Sequence, residues 1–226
     1  MTANISYDSI LPLDMHLDNL PDFAEENLLI ENGHNLIAGV DEVGRGPLAG
    51  PVMAAAVILR LNIHFDWIDL VNDSKKLTER KREYLYDAIM ADALAVGVGS
   101  VTPEGIDTYG MGNAVRTAMQ LAIAQLKTQP DFVLIDAVKL PNVNIPQKNI
   151  IRGDGKCVSI AAASIIAKVT RDHYMMGVDS IYRGYGFARH KGYPTKQHMD
   201  KLAQCGACPI HRKSFIPVKK AIEQSK

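Results

Sequence analysis

A chain of 226 residues, 47% hydrophobic and 22% charged, has the material for one sizeable α/β core and excludes a disordered, fibrous or disulfide-stapled protein; its three cysteines, Cys157, Cys205 and Cys208, fit a reducing compartment. No window approaches the roughly eighteen uninterrupted apolar residues of a membrane helix, and no basic segment precedes an apolar run at the N-terminus, so a cytoplasmic protein with no membrane partner is expected. The formal net charge of zero hides a polarity: residues 1–35 carry seven acids and no Lys or Arg, whereas residues 183–226 carry ten Lys or Arg against Asp200 and Glu223, a balance that suits a polyanion, with Lys191 and Lys196 among the candidate phosphate contacts.

In chain order, residues 1–20 read as a flexible extension and 21–226 as the folded domain. Residues 22–32 form a short expected helix, with Asp22 and Glu25 at capping-box spacing and Gly33 as its stop. Residues 36–43 and 52–59 are apolar, β-prone runs separated by a turn rich in Gly and Pro. Thr78 caps an expected helix over 78–92, in which Tyr84, Leu85, Ala88 and Ile89 recur at helical spacing. A third strand is expected over 93–101. Thr102-Pro103 opens another helix, and 113–127 is amphipathic, with Val115, Met119, Ala122, Ile123 and Leu126 on one face. A buried strand follows at 132–135, then a very apolar helix over 159–172 and a shorter one over 195–204. Two strands joined by a turn should pair antiparallel, and strands joined through helices should run parallel. The expected fold is a mixed sheet flanked by helices, ending in a helical C-terminal region.

The chemistry concentrates in carboxylates beside turns. Asp41-Glu42-Val43-Gly44-Arg45-Gly46-Pro47 contains glycines, but it is not a dinucleotide loop: such a loop leads into a helix N-terminus, whereas Pro47, Pro51 and a β-prone run follow here. Adjacent acids at a strand end point to opposite faces, so one of them faces a partly buried environment and needs a partner. Arg45 is one candidate; a hard divalent cation is the other. Asp136 ends the apolar run Phe132–Ile135 where sites gather in parallel sheets, and Asp154 lies in a glycine turn just before the helix expected at 159, where it could also serve the helix dipole. Singly, each acid has a structural reading. Together, four acids from separated segments fit a cage for two metal ions about 3.5–4 Å apart, the arrangement used in phosphodiester hydrolysis. Cys205-x-x-Cys208 with His211 invites a zinc or redox reading, but a structural zinc site wants four ligands and a redox pair should open a helix; incidental cysteines are expected.

The segments DEVGRGPLAGPV, NDSKKL, FVLIDAVKLP, GDGKCVSIAAASIIAKVTRD, YGFARHKGYPTKQH and HRKSFIPV, in this order over about residues 25–218, resemble the ribonuclease HII family. The resemblance implies a ribonuclease H-like fold and an endonuclease that cuts the RNA strand of RNA–DNA hybrids. It also implies cutting on the 5′ side of ribonucleotides embedded in duplex DNA, leaving 3′-hydroxyl and 5′-phosphate ends with manganese or magnesium as cofactor. It places the catalytic and metal-binding acids at Asp41, Glu42, Asp136 and Asp154. Gly44, Arg45 and Gly46 would read the ribose 2′-hydroxyl through the backbone, Tyr193 would pack at the RNA–DNA junction, and Ser74 and Lys75 would lie near phosphates. A monomer is expected. The competing readings are a ribonuclease HIII-like hybrid nuclease and a non-catalytic hybrid-binding protein; against the second, a binder has no reason to keep repulsive carboxylates facing phosphates.

Overall fold

The computed structural model describes residues 20–61 and 63–224. The expected extension at 1–20 therefore lies outside the described residues except for Leu20. Five strands, β1 (Ile37–Val43), β2 (Val52–Ile58), β3 (Ala95–Val101), β4 (Phe132–Asp136) and β5 (Gln147–Ile150), form one sheet in the order β3-β2-β1-β4-β5. β2 pairs antiparallel with β1 and β3, and β4 pairs parallel with β1 and β5. The helices are α1 (Ala24–Glu31), α2 (Glu79–Asp92), α3 (Pro103–Tyr109), α4 (Met111–Ala124), α5 (Val158–Asp179), α6 (Phe187–His190), α7 (Lys196–Cys205) and α8 (Ile216–Gln224). None of these helices is long and apolar enough to cross a membrane.

The sheet is apolar on both faces because helices cover both. Alternate residues Ala38, Val40, Ala54, Ala56, Val133 and Ile135 pack with Ala114, Val115, Ala118, Met119 and Ala122 of α4. The residues between them, Ala55 and Val57, pack with α5 and with Leu85 and Ile89 of α2. Gly97 and Gly99 let α4 press on β3: a methyl group there would lie 2.1 Å from the carbonyl oxygens of Ala122 and Ala118 respectively. The strands and helices expected from periodicity form within a few residues of their expected bounds, except that the helix expected over 159–172 runs on to Asp179. Thr78 and Thr102 cap their helices as expected, accepting from Lys81 N and Gly105 N at 3.3 Å.

Three expectations are corrected. β3 is joined to β2 through α2 and yet runs antiparallel to it, because the long connection before Glu79 carries the chain to the far end of the sheet and α2 returns it, so that Leu94 N bonds Ile58 O at 2.8 Å. The capping box at α1 does not form: Asp22 accepts from Ala24 N, while Glu25 pairs with Lys148 at 2.6 Å. β5, α6 and α8 were not expected; Gln147-Lys148-Asn149 is a polar sheet edge without the alternation that marks a strand.

Glu26 fastens α1 to the fold. It is fully buried, and its Oε1 accepts from Ser159 N at 2.9 Å and Ser159 Oγ at 2.6 Å, capping α5 from another helix, while its Oε2 has no partner among the described residues. Burial raises its pKa above 4.5, against the Ser159 bonds that lower it. The folded state therefore keeps a proton that the unfolded chain releases. The associated stability is fully present below about pH 4.5 and is lost as pH rises through the folded value. Glu26→Ala is expected to cost about 1–2 kcal/mol, as a lost helix cap does. Glu26→Gln keeps the acceptor and is expected to remove the decline with pH. Urea unfolding at pH 4.5 and pH 8 checks both; parallel losses for parent and Gln variant would refute the assignment.

Candidate active site

The topology brings three of the four expected acids together. Val40 is registered with Ile135 across the parallel β1–β4 pair, so Asp41 and Asp136 follow at one level. Glu42 lies beyond the end of β4, with none of that strand between it and Asp136. Asp41, Glu42 and Asp136 each offer an oxygen within 4.8 Å of the others, the one such group of metal-ligating side chains among the described residues. The pleat thus separates Asp41 and Glu42 by face, but their carboxylates converge at the strand end. Asp154 stands outside this group, in a 3-10 turn (Gly153–Gly155), and is tied to it because Gly153 N donates to Asp136 Oδ1 at 2.8 Å.

Charge is crowded here. Asp41 is buried, and desolvation, then Glu42 and Asp136, push its pKa well above the usual carboxylate range. Burial raises Glu42, opposed by Arg45, whose Nη1 lies 3.1 Å from Glu42 Oε1. Arg45 is thus the partner that the sequence allows, but it satisfies one oxygen only: Glu42 Oε2 is buried with no partner among the described residues. Asp154 is raised by burial and then by Asp73, an acid outside the expected four. Lys75 Nζ sits 3.6 Å from Asp154 Oδ2; burial opposes its charge, but Asp154, Asp73, Asp41 and Asp136 together raise its pKa. Three converging carboxylates with an unpaired buried oxygen fit a hard divalent cation.

Beside the acids, a cleft of about 190 Å³ is lined by Glu42, Gly44, Arg45, Gly46, Lys75 and Tyr193, among others. The Ser74 hydroxyl is buried against Ser164 at 2.9 Å, and the Ser164 hydroxyl acts on Asp41, lowering its pKa against the larger effect of burial, so the side chain of Ser74 sits behind the acids. The loop from Gly44 to Pro51 is held by Arg212, fully buried, which donates to the carbonyls of Gly44, Arg45, Pro47, Gly50 and Pro51 at 2.6–3.1 Å. Arg171, also fully buried, donates to Ala49 and Pro51. Burial and then Arg171 bring Arg212 down to about 9, so it stays charged at neutral pH. With the loop carbonyls turned to guanidinium groups, the amides of Arg45 and Gly46 have no acceptor among the described residues. Both arginines lie in segments that carry the family resemblance, but nothing in a linear sequence marks an arginine as a carbonyl clamp.

Tyr193 is held from behind by a histidine relay. Cys208 N donates to His211 Nδ1 at 3.0 Å, which makes His211 Nε2 the donor to His198 Nε2 at 3.0 Å and His198 Nδ1 the donor to Tyr193 O at 2.9 Å. Burial keeps both rings neutral, His211 down to about 4 and His198 lowered. Cys208 Sγ lies 3.0 Å from His211 Nδ1, while Cys205 is exposed, and the two join no metal-ligating group among the described residues. Lys191 and Lys196 are engaged within the protein, with Ala188 O at 2.6 Å and Asp200 at 2.7 Å.

The family model for ribonuclease HII matches residues 38–218. A ribonuclease HII of Dehalococcoides mccartyi is 51% identical over 203 residues, covering 90% of this chain and 96% of that one. The crystal structure of ribonuclease H2 from Pyrococcus horikoshii superposes with a TM-score of 0.70 at 27% identity, covering 83% of this chain and 97% of that one. Bst-RNase HIII in complex with Mn2+ shares the fold, with a TM-score of 0.61 at 21% identity over 85% of this chain and 71% of that one. With a family match across four fifths of its length and a sheet of the same fold, the chain belongs to the ribonuclease HII family and is an endoribonuclease.

Proposed function

We propose that the protein hydrolyses the RNA strand of RNA–DNA hybrids and cuts 5′ of ribonucleotides embedded in duplex DNA, leaving 3′-hydroxyl and 5′-phosphate ends. One observation carries the reading: three carboxylates within 4.8 Å, one with a buried unpaired oxygen, at the edge of a cleft floored by a glycine loop. Asp41, Glu42 and Asp136, with Asp154 beside them, would hold two divalent ions, manganese or magnesium. When bound, such ions polarise a phosphoryl oxygen and lower the pKa of water. The Mn2+ held by the ribonuclease HIII neighbour supports this choice of metal.

The chain's own residues supply selection and position. The Arg45 and Gly46 amides are free to donate to a 2′-hydroxyl, the group that separates RNA from DNA. Tyr193, about two-fifths exposed, offers a ring face beside Gly46 for the sugar past the cut. Lys75 offers a cation to the phosphates, and the whole arrangement is complete within one chain. A duplex carrying a single ribonucleotide should be cut at its 5′ side with manganese present and left intact with a chelator. An intact duplex under both conditions would remove the reading.

A further inference from the structure

A second groove, of about 550 Å³, lies on the α4 face of the sheet, lined by Asn113, Arg116, Gln120, Lys139 and Asn142 among others, with no acid in its lining. The catalytic reading does not use it. Its place in the fold is fixed. α4 runs antiparallel to β3, since Gly99 faces Ala118 and Gly97 faces Ala122. The first turns of α4, with Asn113 and Arg116, therefore stand beyond Val101, which is registered with Val52 at the start of β2. That is the sheet end at which β1 and β4 present Asp41, Glu42 and Asp136. Lys139 reaches the same groove three residues after Asp136. The acids thus lie between two flanks: Lys75 stands on the α5 side and this groove on the α4 side.

The groove is built rather than incidental. Lys139 sits in a turn that starts with Ala137 at φ 51°, a left-handed backbone that alanine adopts only under constraint. The constraint comes from Ala137 N to Ile150 O at 3.1 Å. It also comes from the Gln147 side chain, which brackets Leu140 N and Leu140 O at 2.9 Å each; Leu140 itself is fully buried. Opposite, Asn113 Oδ1 accepts from Arg116 Nη2 at 3.0 Å, while Asn113 Nδ2 is anchored on Tyr109 O. Neither Arg116 nor Lys139 meets a carboxylate among the described residues, although Lys148 and Lys196 each hold one. Two unpaired cations and an amide set, held on rigid backbone and free of acids, are the donors that phosphodiester oxygens accept from.

We propose that this groove binds the phosphodiester backbone of the same duplex that the acids cut, on the flank opposite Lys75. The proposal rests on the hybrid-cleaving reading and extends it: the duplex lies across the sheet end and is gripped on both sides of the cut. Anisotropy of a labelled RNA–DNA hybrid, with chelator present so that no strand is cut, over a range of salt concentrations, tests it. The R116A/K139A variant is expected to lower the slope of log affinity against log salt by about two, one for each phosphate that is no longer neutralised. R116K/K139R is expected to keep the parent slope. An unchanged slope in R116A/K139A overturns the proposal, as does an equal fall in the charge-conserving variant, which would trace the effect to structure rather than charge. A parent that neither binds nor cuts the hybrid would instead sink the reading on which the proposal stands.

Discussion

Asp136→Asn is expected to reduce cleavage by more than about a hundredfold, the upper range for losing a group that merely supports a metal ligand, while hybrid binding persists. The substitution isolates charge from architecture. Asn keeps the Oδ1 that accepts from Gly153 N, so the turn carrying Asp154 stays in place. What disappears is one negative charge among three converging carboxylates. That charge also raises the pKa of Asp41 and Glu42, so its removal eases the remaining pair and lessens repulsion of incoming phosphates. Single-turnover cleavage with manganese, set beside anisotropy binding under chelation, separates the two effects. Turnover within about threefold of the parent would dissolve the carboxylate site as drawn.

The second large effect concerns selection of a single ribonucleotide. Gly44→Ala, Gly46→Ala and Tyr193→Ala should each lose about a hundredfold on a duplex with one embedded ribonucleotide, the scale of a misplacement of about 1 Å, but for different reasons. Gly44 has φ +94°, and a methyl group there would stand 2.4 Å from Arg171 Nε and 2.9 Å from Pro51 O, so the whole clamp must shift. Thermal stability should fall with activity. Gly46 has no such backbone demand: the left-handed angles that the loop requires belong to Gly44 and Gly50. A methyl group at Gly46 meets Tyr193 Cε1 at 3.7 Å, an ordinary contact, and projects where the sugar must come. Gly46→Ala should therefore fold like the parent. Each variant is compared on the single-ribonucleotide duplex and on an all-RNA hybrid, with circular dichroism melts alongside. Parent-like cutting of the single-ribonucleotide duplex by Gly46→Ala and Tyr193→Ala together would end the backbone-readout scheme while leaving the acids untouched.

What the sequence reveals and conceals follows from range. Strands β1, β2 and β4 are legible as short continuous apolar runs bounded by turns, and β3 and helices α2, α4 and α7 because their burial repeats at the period of their own backbone. The acids are legible because each sits where an apolar run meets a turn. Their convergence is not, since the 4.8 Å grouping depends on pairing Val40 with Ile135, residues far apart in the chain. The same holds for the connection through α2: periodicity shows the helix, but the direction in which β3 re-enters depends on a long, irregular segment. Arg171, Arg212, Ser164 and Glu26 are silent in the sequence because their partners are carbonyls and hydroxyls supplied by distant folds of the chain.

The C-terminal region looks like an accessory when the helices are counted, since its elements lie off the sheet. The donor chain from Cys208 through His211 and His198 to the Tyr193 carbonyl says otherwise, as does the grip of the adjacent Arg212 on five loop carbonyls. One short stretch of chain, residues 208–212, fixes both walls of the cleft at once. The enzyme is therefore not modular at this point: a chain ending before Cys208 would keep every acid yet lose the bonds that Arg212 and the histidine relay make to the glycine loop and to the Tyr193 carbonyl. All four acids precede that stretch in the chain, so during synthesis the walls of the cleft are fixed only after the acids have been made.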